Sequence, residues 1–275
     1  MTEHCLSCPH CNSTSLFLWS TSPQFNKCMN CALIFQDHIP TEKELELFYF
    51  TYHDQIHQQQ VILNDFRLVS YLLDIDFFND SLKLHGIDPS ILKSVFDYGA
   101  SGGYLLDVFP SNFTMKAGWD RGDQSREVLQ KKGYYYDFNT ANANFDILVL
   151  RGVIEHMVNP WIDLKIIIEK INPRYILITA TPNGSSIAAA VFRDQWHMHL
   201  PTEHIYHFSP HHLIQIINPY GYRMLNLEYK YLNTPYSDFT SDSDKIRKAC
   251  DSNLVCESGP YFDSMINCIF QNTKL

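Results

Sequence analysis

The stretch that most constrains the fold is residues 94–106, where an apolar segment runs directly into a turn of small residues and then into a second apolar segment. The turn, from Gly99 to Gly103, contains three glycines together with Ala100 and Ser101. Small residues let the backbone approach a ligand closely, and the helix N-terminus that follows presents free N–H groups. This order is that of the first βα unit of a nucleotide-binding fold. A glycine-rich turn alone is weak evidence, so the prediction depends on its surroundings.

Strand-like and helix-like segments alternate after this turn. The continuous apolar run 145–150 suits the buried centre of a parallel sheet. Residues 222–232 alternate in polarity and are expected to pair with residues 265–270 as an antiparallel hairpin. We therefore predict an α/β fold with a Rossmann-like, doubly wound, mostly parallel sheet and an antiparallel C-terminal edge hairpin. The other predicted elements are strands at 115–119, 134–137 and 175–180 and helices at 125–132, 160–171 and 211–217.

Four cysteines near the N-terminus form two Cys-x2-Cys pairs, separated by sixteen residues. This spacing is typical of a zinc ribbon, in which two tight turns supply four thiolates to one tetrahedral Zn²⁺. The predicted ligands are Cys8, Cys11, Cys28 and Cys31. Because four thiolates leave no open coordination position, we expect a structural zinc that allows this small N-terminal segment to fold.

Two alternatives stay open for this cysteine cluster. Cys5 forms an overlapping Cys-x2-Cys with Cys8, so the ligand register can be shifted, although Pro9 favours Cys8. The cysteines can also be reduced and free of metal. The flanking residues 15–19 and 32–35 are predicted to be partner strands of the ribbon.

A helical region separates the ribbon from the main domain. Thr41 and Glu44 have the spacing of a capping box, and apolar residues repeat at helical spacing over residues 58–85. We therefore divide the chain into a zinc ribbon (1–40), a helical lead-in (41–90) and a main domain (91–275). Within the main domain, the polar residues at about 237–260 are expected to be a mobile insertion near a pocket mouth.

Charge and hydropathy limit the classes of partner. The formal net charge of −9 argues against a general grip on polyanions, so we expect no nucleic acid partner. The longest apolar runs fall short of the ~20 residues that cross a bilayer, so we expect no membrane span. The first residues lack the basic and apolar regions of a secretory signal, which favours the reducing cytoplasm. A disulfide between Cys250 and Cys256 is not expected there.

Three motifs in the main domain resemble those of class I S-adenosylmethionine-dependent methyltransferases. Phe-Asp-Tyr-Gly-x-Ser-x-Gly-x-Leu-Leu begins at Phe96, Gly-Trp-Asp ends at Asp120, and Glu-His-x-x-x-Pro begins at Glu155. The cysteine pairs and the apolar and aromatic residues between 33 and 49 are similar to the zinc-ribbon methyltransferases of sugar and polysaccharide pathways. The resemblance covers roughly residues 5–230. It is specific for the cofactor class and implies little about the acceptor.

The resemblance implies a set of cofactor-binding residues that follow the ends of the first four strands. Asp97, Gly99, Ser101 and Gly103 would line the methionine part of the cofactor, and Asp120 would hold the ribose. Arg121, Asp137 and Phe138 would lie beside the adenine, and Arg151 would lie near the methionine tail. Ser101 departs from the glycine of many relatives, but serine is also common at this position. Asp120 lies 23 residues after Asp97, a spacing that suits an acid that binds ribose hydroxyls. The alternatives are a solvated turn residue for Asp120 and a surface cation for Arg151.

The candidate catalytic segment is residues 196–210, where four histidines and one glutamate lie within eleven residues. Methyl transfer to a hydroxyl or an acidic carbon needs a base, and histidine is best matched to proton transfer near neutral pH. Relatives carry a Pro-x-x-His-x-x-x-Phe-Ser pattern here, which begins at Pro201. The resemblance therefore favours His204 as the base, with Glu203 and His199 as second choices. His156 can shape the pocket, but a structural role at a helix start is favoured.

Two other roles stay open for the histidine-rich segment. Ser209 and Pro210 form a good N-cap and N1 pair, so the histidines can simply position the helix that follows. A histidine-rich tract can also bind a second metal ion.

The function implied by the resemblance is methyl transfer from S-adenosylmethionine to a hydroxyl or carbon of a sugar nucleotide or glycan intermediate. A small-molecule or glycan acceptor, first among them a nucleotide sugar, is therefore the expected partner. One alternative is an RNA or protein methyltransferase guided by the ribbon, which a basic stripe leading to the pocket would favour. The other is a module that binds the cofactor without catalysis, which any turnover of the donor would exclude.

Overall fold

The computed structural model describes residues 5–52, 65–139, 143–201, 203–229, 232–234, 237–252 and 261–274. Its strands are β1 (Leu16–Thr21), β2 (Gln24–Cys28), β3 (Ile34–Gln36), β4 (Ser94–Tyr98), β5 (Met115–Trp119), β6 (Ile147–Arg151), β7 (Tyr175–Pro182), β8 (Tyr206–His207), β9 (Tyr222–Tyr229) and β10 (Met265–Asn272). Among the described residues, the main sheet has the strand order β5-β4-β6-β7-β10-β9. The first four of these strands are parallel, whereas β10 pairs antiparallel with both β7 and β9. The predicted mostly parallel sheet with an antiparallel edge is confirmed.

The helices of five or more residues in the described part of the chain lie on both faces of this sheet. They are α1 (Glu42–Tyr52), α2 (Asp65–Leu84), α3 (Tyr104–Val108), α4 (Asp123–Lys132), α5 (Pro160–Ile171), α6 (Ile187–Phe192), α7 (Pro210–Ile217) and α8 (Phe239–Ser252). Short 3₁₀ turns occur at Pro89–Ile91, Ile154–His156, Arg193–Gln195 and Asn218–Tyr220. None of the helices among these residues combines the length and apolar content that a bilayer crossing needs.

The central strand β6 shows why the fold has three layers. Successive side chains of a strand point to opposite faces, and β6 is apolar at nearly every position, so both faces must be covered. Ile147 and Val149 belong to the buried cluster that includes α2, whereas Leu148 and Leu150 belong to the cluster that includes α5 and α7. Helices on both faces leave the carboxyl ends of the parallel strands open, which is where ligands bind in such sheets.

A second sheet contains the N-terminal residues 5–37, named here the cysteine unit. Its strand order is β1-β2-β3-β8, so β2 lies between β1 and β3. The predicted direct pairing of residues 15–19 with residues 32–35 is therefore wrong. The polar β2 segment was not recognised from its pattern because Phe25 is its only large apolar residue. The outer edge of β3 pairs with β8, which belongs to the main domain, so the two units share one sheet.

Two other expectations change in the structure. The predicted strand at residues 134–137 is reduced to a single bridge between Gly118 and Tyr135, and Phe138 then packs into the core. The expected mobile insertion contains α8, whose Ile246 and Ala249 pack against the buried cluster that includes α6. Residues 253–260 of that insertion and residues 58–64 of the predicted long helix lie outside the described residues.

Candidate active site

A cavity of about 390 Å³ lies at the carboxyl ends of β4 and β6. This volume falls within the range of about 300–1,000 Å³ that is typical of small-molecule sites. In the sheet, β4 is followed on one side by β5 and on the other by β6, so the cavity lies where the strand order reverses. We name two parts of its lining. The turn wall contains residues 97–101 and 119–121, and the histidine wall contains Tyr49, His156, Met157 and Glu203.

The turn wall owes its shape to Gly99 and Asp120. Gly99 has a φ of 82°, and a Cβ atom there would lie 2.5 Å from the Cγ2 atom of Val153, so only glycine fits. Ser101 follows at a φ of 48°, and its N–H donates to the Asp120 Oδ2 atom at 2.8 Å. The Asp120 Oδ1 atom accepts from the N–H of Gly122 at 2.8 Å. One carboxylate therefore joins the turn after β4 to the loop after β5.

Asp97 is the acidic residue of β4 that faces the cavity. It is 2% exposed, and its Oδ1 atom has no hydrogen-bond partner among the residues that the structure describes. Burial raises the pKa of Asp97 to about 7; the Arg151 guanidinium opposes this shift and the Asp120 carboxylate adds to it. A buried carboxylate without a partner is costly. Asp97 therefore favours a cationic ligand group beside it.

Arg151, at the end of β6, is held by α2. Its Nε atom donates to the Asp74 Oδ2 atom at 2.7 Å, and its guanidinium also donates to the Ser70 Oγ atom at 3.0 Å. The guanidinium lies 4.6 Å from the centre of the Tyr71 ring. Arg151 lines the cavity, as expected for a residue near a methionine tail. No sequence pattern indicated that α2 would orient it.

Aromatic rings occupy the other part of the turn wall. The Trp119 ring stacks on Tyr98 with the ring centres 4.8 Å apart. Arg121 also lines the cavity, and it donates to Glu42 of α1 at 2.8 Å. A polar rim beside a stacked pair of rings suits a flat, nitrogen-rich ring system.

Three of the predicted cofactor residues lie away from this lining. Phe138 packs behind the stacked pair, 5.2 Å from the Tyr98 ring and 5.8 Å from the Trp119 ring, measured between ring centres. Gly103 caps α3, and the Asp137 Oδ1 atom accepts from the N–H of Asn139 at 3.1 Å. The geometry therefore brings Asp97, Gly99, Ser101, Asp120, Arg121 and Arg151 to the cavity, but it does not bring Gly103, Asp137 or Phe138 there.

The histidine wall contains one of the three predicted catalytic residues. Glu203 lines the cavity. His204 is buried behind His156, and the two rings meet edge to face with their centres 5.0 Å apart. The Nδ1 atom of His204 lies 2.7 Å from the carbonyl oxygen of Met198, so it carries the proton and donates. His204 therefore contacts His156, which lines the cavity, but His204 is not itself part of the lining.

His199 is not part of the cavity lining. Its ring stacks on Phe25 of β2 at 4.4 Å between centres, and its Nδ1 atom lies 2.9 Å from the His207 Nε2 atom. Burial lowers the pKa of His199 to about 4 and that of His207 well below its usual value. Both imidazoles are therefore neutral at pH 7 and serve the contact between the cysteine unit and the main domain.

Glu155 is a buried carboxylate beside the histidine wall. It is 1% exposed, and its Oε2 atom accepts from the Thr181 hydroxyl at 3.2 Å. Burial raises its pKa to about 8. Burial also lowers the pKa of His156 to about 3 and that of His204 to about 4, so both imidazoles are neutral. Donor atoms of these three residues all lie within 4.8 Å of one another.

The four predicted cysteine ligands come together in the cysteine unit. The Sγ atoms of Cys8 and Cys31 are 3.6 Å apart, and those of Cys11 and Cys28 are 3.5 Å apart. Tetrahedral Zn²⁺ with Zn–S bonds of about 2.3 Å places its sulfurs about 3.8 Å apart, so the donors fit zinc. Cys5 lies outside this group, and its Sγ atom contacts the Ser7 carbonyl oxygen at 3.1 Å. The geometry therefore supports the register that begins at Cys8.

The cysteine unit also holds the loop that carries Glu203 and His204. The Gln36 N–H donates to the Ile205 carbonyl oxygen at 2.9 Å, and its side-chain amide donates to the His204 carbonyl oxygen at 2.9 Å. The His212 Nε2 atom lies 2.9 Å from the Cys31 carbonyl oxygen. The histidine wall is therefore positioned by contacts between residues about 170 apart in sequence.

Sequence reasoning missed Tyr49 and Met157 of the histidine wall and favoured a structural role for His156. His156 lines the cavity directly after β6, in line with the alternative that it shapes the pocket. Its position in the Glu-His-x-x-x-Pro motif, at the carboxyl end of a central strand, was the available signal. Tyr49 comes from α1, and the capping box that begins α1 gave no hint that the helix would cover the cavity.

The family comparison matches more than half of the chain. The model of the methyltransferase domain family matches residues 67–227, from the first turn of α2 into β9. This range includes both strands that flank the cavity and the loop with Glu203. None of the curated proteins that were compared matches the chain.

Solved structures share the fold at low sequence identity. Magnesium protoporphyrin IX methyltransferase (ChlM) from Synechocystis PCC 6803, with bound S-adenosylhomocysteine (SAH), has a TM-score of 0.53 and 11% identity, over 82% of this chain and 99% of that chain. The plantazolicin methyltransferase BamL, in complex with a triazolic desmethylPZN analog and SAH, has a TM-score of 0.50 and 14% identity, over 83% of this chain and 96% of that chain. The [4+2]-cyclase SpnF has a TM-score of 0.54 and 13% identity, over 85% of this chain and 96% of that chain. These likenesses confirm the Rossmann-like α/β fold and, at such identities, only the fold.

Proposed function

The chain belongs to the methyltransferase domain family whose model spans residues 67–227, and on this premise we propose that it transfers a methyl group from S-adenosylmethionine to a hydroxyl or carbon of a sugar nucleotide or glycan intermediate. Membership of the family confirms the prediction of a methyltransferase. The cavity is the observation that supports the finer proposal. Its turn wall holds Asp97, a buried acid whose Oδ1 atom has no hydrogen-bond partner among the described residues, and its histidine wall holds Glu203, which can accept a proton.

The turn wall fits an adenosyl cofactor. The Asp97 carboxylate, which has an unpartnered oxygen, suits the ammonium group of a methionine tail, and Arg151 suits its carboxylate. The Asp120 side chain suits ribose hydroxyls, and the stacked pair of Tyr98 and Trp119 suits the adenine. S-adenosylmethionine, when bound, supplies a methyl group that is already activated on a sulfonium.

Four cysteines are proposed to hold a structural zinc ion. Their sulfur separations fit tetrahedral coordination, and the four thiolates occupy every position of such a site. A sheet as small as β1 to β3 buries too little apolar surface to fold by itself. The ion would therefore stabilise the cysteine unit and, through β3 and β8, the loop that carries Glu203.

Glu203 is proposed to accept the proton of the attacking hydroxyl. Of the three residues that the sequence favoured as the base, it is the one on the cavity lining. A carboxylate can serve as a general base when it is within hydrogen-bond reach of the reacting hydroxyl. His156 is a neutral imidazole at this wall, and we assign it to binding and orienting the acceptor oxygen, with the neutral His204 ring packed behind it.

A hydroxyl-rich small molecule agrees with the charge of the chain and the polarity of the cavity. Arg121, Asp163, Tyr49 and Glu203 offer charged and hydrogen-bonding groups of both kinds around the space. The net charge of −9 disfavours an acceptor that must be held by many phosphate contacts. The resemblance to sugar-pathway methyltransferases supports the same choice.

The proposal is tested with the zinc-loaded full chain in two steps. Calorimetry with SAH measures binding at the turn wall, and we expect micromolar affinity. Turnover is then followed as SAH production with nucleotide sugars, with free sugars, with RNA and with a protein substrate mixture. Turnover with a nucleotide sugar, and little with RNA or protein, supports the proposal. Absence of SAH binding overturns it, and turnover only with RNA or protein replaces the acceptor class.

A further inference from the structure

Three potential ligand side chains meet beside the histidine wall, outside the groups assigned to the cofactor. Glu155 and His156 belong to the 3₁₀ turn that follows β6, and His204 belongs to the loop before β8. Their donor atoms, a carboxylate oxygen and one nitrogen from each ring, lie within 4.8 Å of one another. The N–H of Ile205 donates to the Glu155 carbonyl oxygen at 2.8 Å, which ties the loop to the turn.

The hydrogen bonds around these side chains leave donors available to a metal ion. Met198 accepts the proton on the His204 Nδ1 atom at 2.7 Å, so the lone pair of that ring is on Nε2. A ligating histidine commonly donates its second ring N–H to a carbonyl in this way. The His156 Nδ1 atom is buried and has no hydrogen-bond partner in the described part of the chain. The Glu155 Oε2 atom is oriented by the Thr181 hydroxyl at 3.2 Å.

A bound cation would also stabilise the ionised form of the buried Glu155 side chain. The Glu155 carboxylate is 1% exposed, and burying a carboxylate is costly unless it is paired or binds a metal. Its closest approach to a ring nitrogen is 3.9 Å, to His156 Nε2, which is too long for a hydrogen bond. A divalent ion bound at about 2.1 Å would draw such donors to roughly 3–3.5 Å, a small movement of the side chains.

We infer that Glu155, His156 and His204 bind a divalent cation at the edge of the cavity. Two imidazoles and one carboxylate suit ions such as Mn²⁺, Fe²⁺, Co²⁺ or Zn²⁺ better than Ca²⁺ or Mg²⁺, which prefer oxygen ligands. Three protein ligands leave coordination positions for an outside oxygen. Because His156 also lines the cavity, those positions can be reached from it.

This inference deepens the proposed function and rests on it for the role of the ion, although not for its binding. A divalent ion lowers the pKa of an oxygen that it binds and fixes the orientation of that oxygen. The acceptor hydroxyl would then form its O–CH₃ bond as the S–CH₃ bond of the donor breaks, and its proton would pass to the Glu203 carboxylate. The products are the methyl ether, SAH and a protonated Glu203, so charge and atoms balance.

Binding is tested with Mn²⁺ alone on full-length protein whose cysteine site has first been filled with zinc. Free Mn²⁺ gives a six-line electron paramagnetic resonance signal that decreases on binding, and Mn²⁺ competes poorly for four thiolates. We expect about one further ion per chain, together with a rise in Tm that grows with Mn²⁺ concentration. If neither Mn²⁺ nor Co²⁺ binds beyond the zinc equivalent, the inference is wrong.

The ligands are tested with Glu155→Gln and His204→Gln, and His211→Gln is the matched control because His211 is an exposed histidine on α7. Loss of a ligand should weaken Mn²⁺ binding at least about 100-fold, whereas the control should bind as the wild type does. His156→Gln is the third variant, since its side chain is 19% exposed and its replacement is least disruptive to the fold. Unchanged affinity in a folded ligand variant contradicts the inference.

The two proposals fail separately. If Mn²⁺ binds at these residues but no acceptor is methylated, the cation site stands and the methyl transfer does not. If methylation proceeds at full rate and no second ion binds, the methyl transfer stands and the cation site does not.

Discussion

The two walls of the cavity differ in how the chain builds them. The turn wall comes from one continuous segment, β4 to β5, and its shape follows from local features such as the left-handed φ of Gly99. The histidine wall combines Tyr49 of α1, His156 after β6 and Glu203 before β8. The last of these is held in place by β3 of the cysteine unit through backbone hydrogen bonds.

The two walls therefore differ in how far their geometry depends on the rest of the fold. The turn wall needs only a correctly formed βα unit, so its binding groups survive changes made elsewhere. The histidine wall needs the cysteine unit, and that unit is proposed to need four sulfur ligands around one ion. Binding of the cofactor and turnover of the acceptor should therefore respond differently to the same substitution.

The largest effect is expected from Cys28→Ser, which removes one of the four thiolates. Cys28 is 1% exposed and lies at the end of β2, so the variant loses both a ligand and the closure of the small sheet. The loop with Glu203 then loses its support from β3. Misplacement of a catalytic group by about 1 Å can cost 100-fold, so we expect turnover to fall at least about that much. Affinity for SAH, measured by calorimetry, should change less than about tenfold because the turn wall is formed by the segment from β4 to β5 and not by the cysteine unit.

The control for this experiment is Cys5→Ser. Cys5 belongs to the same unit but lies outside the group of four sulfurs, so zinc content, turnover and SAH affinity should all be retained. An equal loss of SAH affinity and turnover in Cys28→Ser would show that the two walls are not separable.

A smaller effect is expected from Glu203→Gln, which tests the histidine wall alone. The amide keeps the size of the side chain but cannot accept a proton as the carboxylate does, so kcat should fall about 100-fold while SAH affinity stays unchanged. His199→Gln is the informative comparison, because His199 faces β2 rather than the cavity. In that variant kcat should fall less than about tenfold. The reverse order of effects in steady-state kinetics would move the base from Glu203 to His199.

The turn wall is tested by Asp97→Asn. The variant removes the negative charge assigned to the ammonium group of the cofactor, and a hydrogen bond to a charged group contributes about 1.5–3 kcal/mol. We expect SAH to bind about 10- to 100-fold more weakly. The free protein should be no less stable, since an unpartnered buried carboxylate is lost. The control is Asp76→Asn on the exposed face of α2, and calorimetry that finds no difference between the two variants would remove Asp97 from the cofactor site.

The same contrast explains what could be predicted from the sequence. The strand, turn and helix around Gly99 lie within thirteen residues, and the order of apolar and small residues there determines the local backbone. The sheet and most of the turn wall could therefore be predicted. The acid after β5 was also found because its distance from Asp97 is a property of the βα unit. Phe138 was assigned to the lining because its position along the chain is right, but the chain turns it into the core.

The histidine wall could not be derived in this way because it depends on tertiary pairing. No local pattern shows that Gln36 meets the backbone at residues 204–205, yet this contact decides which side chain of the histidine-rich segment faces the cavity. A sequence of four histidines around one glutamate predicts that a base is near. The position of Glu203 on the cavity lining and of His199 against β2 depends instead on tertiary contacts such as the pairing of β3 with β8. The packing of Phe25 of β2 against His199 and His207 could not be predicted for the same reason.

The smallest effect concerns pH and the contact between β2 and the histidine-rich segment. His199 is 6% exposed, and burial lowers its pKa to about 4; the charge of Asp194 opposes the shift, and His204 and His197 add to it. An unfolded histidine has a pKa of about 6.5. Below that pH the unfolded chain takes up a proton that the folded chain does not, so stability is full above pH 6.5 and is lost progressively as the pH falls toward 4.

Between pH 7.5 and 5.5 one such histidine costs about 1.4 kcal/mol of unfolding free energy. In His199→Gln, urea unfolding should therefore lose about 1 kcal/mol less stability than the wild type over this range, even though the variant starts from a lower value. His211→Gln, which changes an exposed imidazole of α7, should keep the wild-type pH dependence. Identical slopes for wild type and His199→Gln would mean that His199 has the same pKa in the folded and the unfolded protein, which would contradict its burial as a neutral imidazole. An ion pair between His199 and Asp194 would instead raise this pKa, and the stability of the wild type would then rise relative to that of His199→Gln as the pH falls.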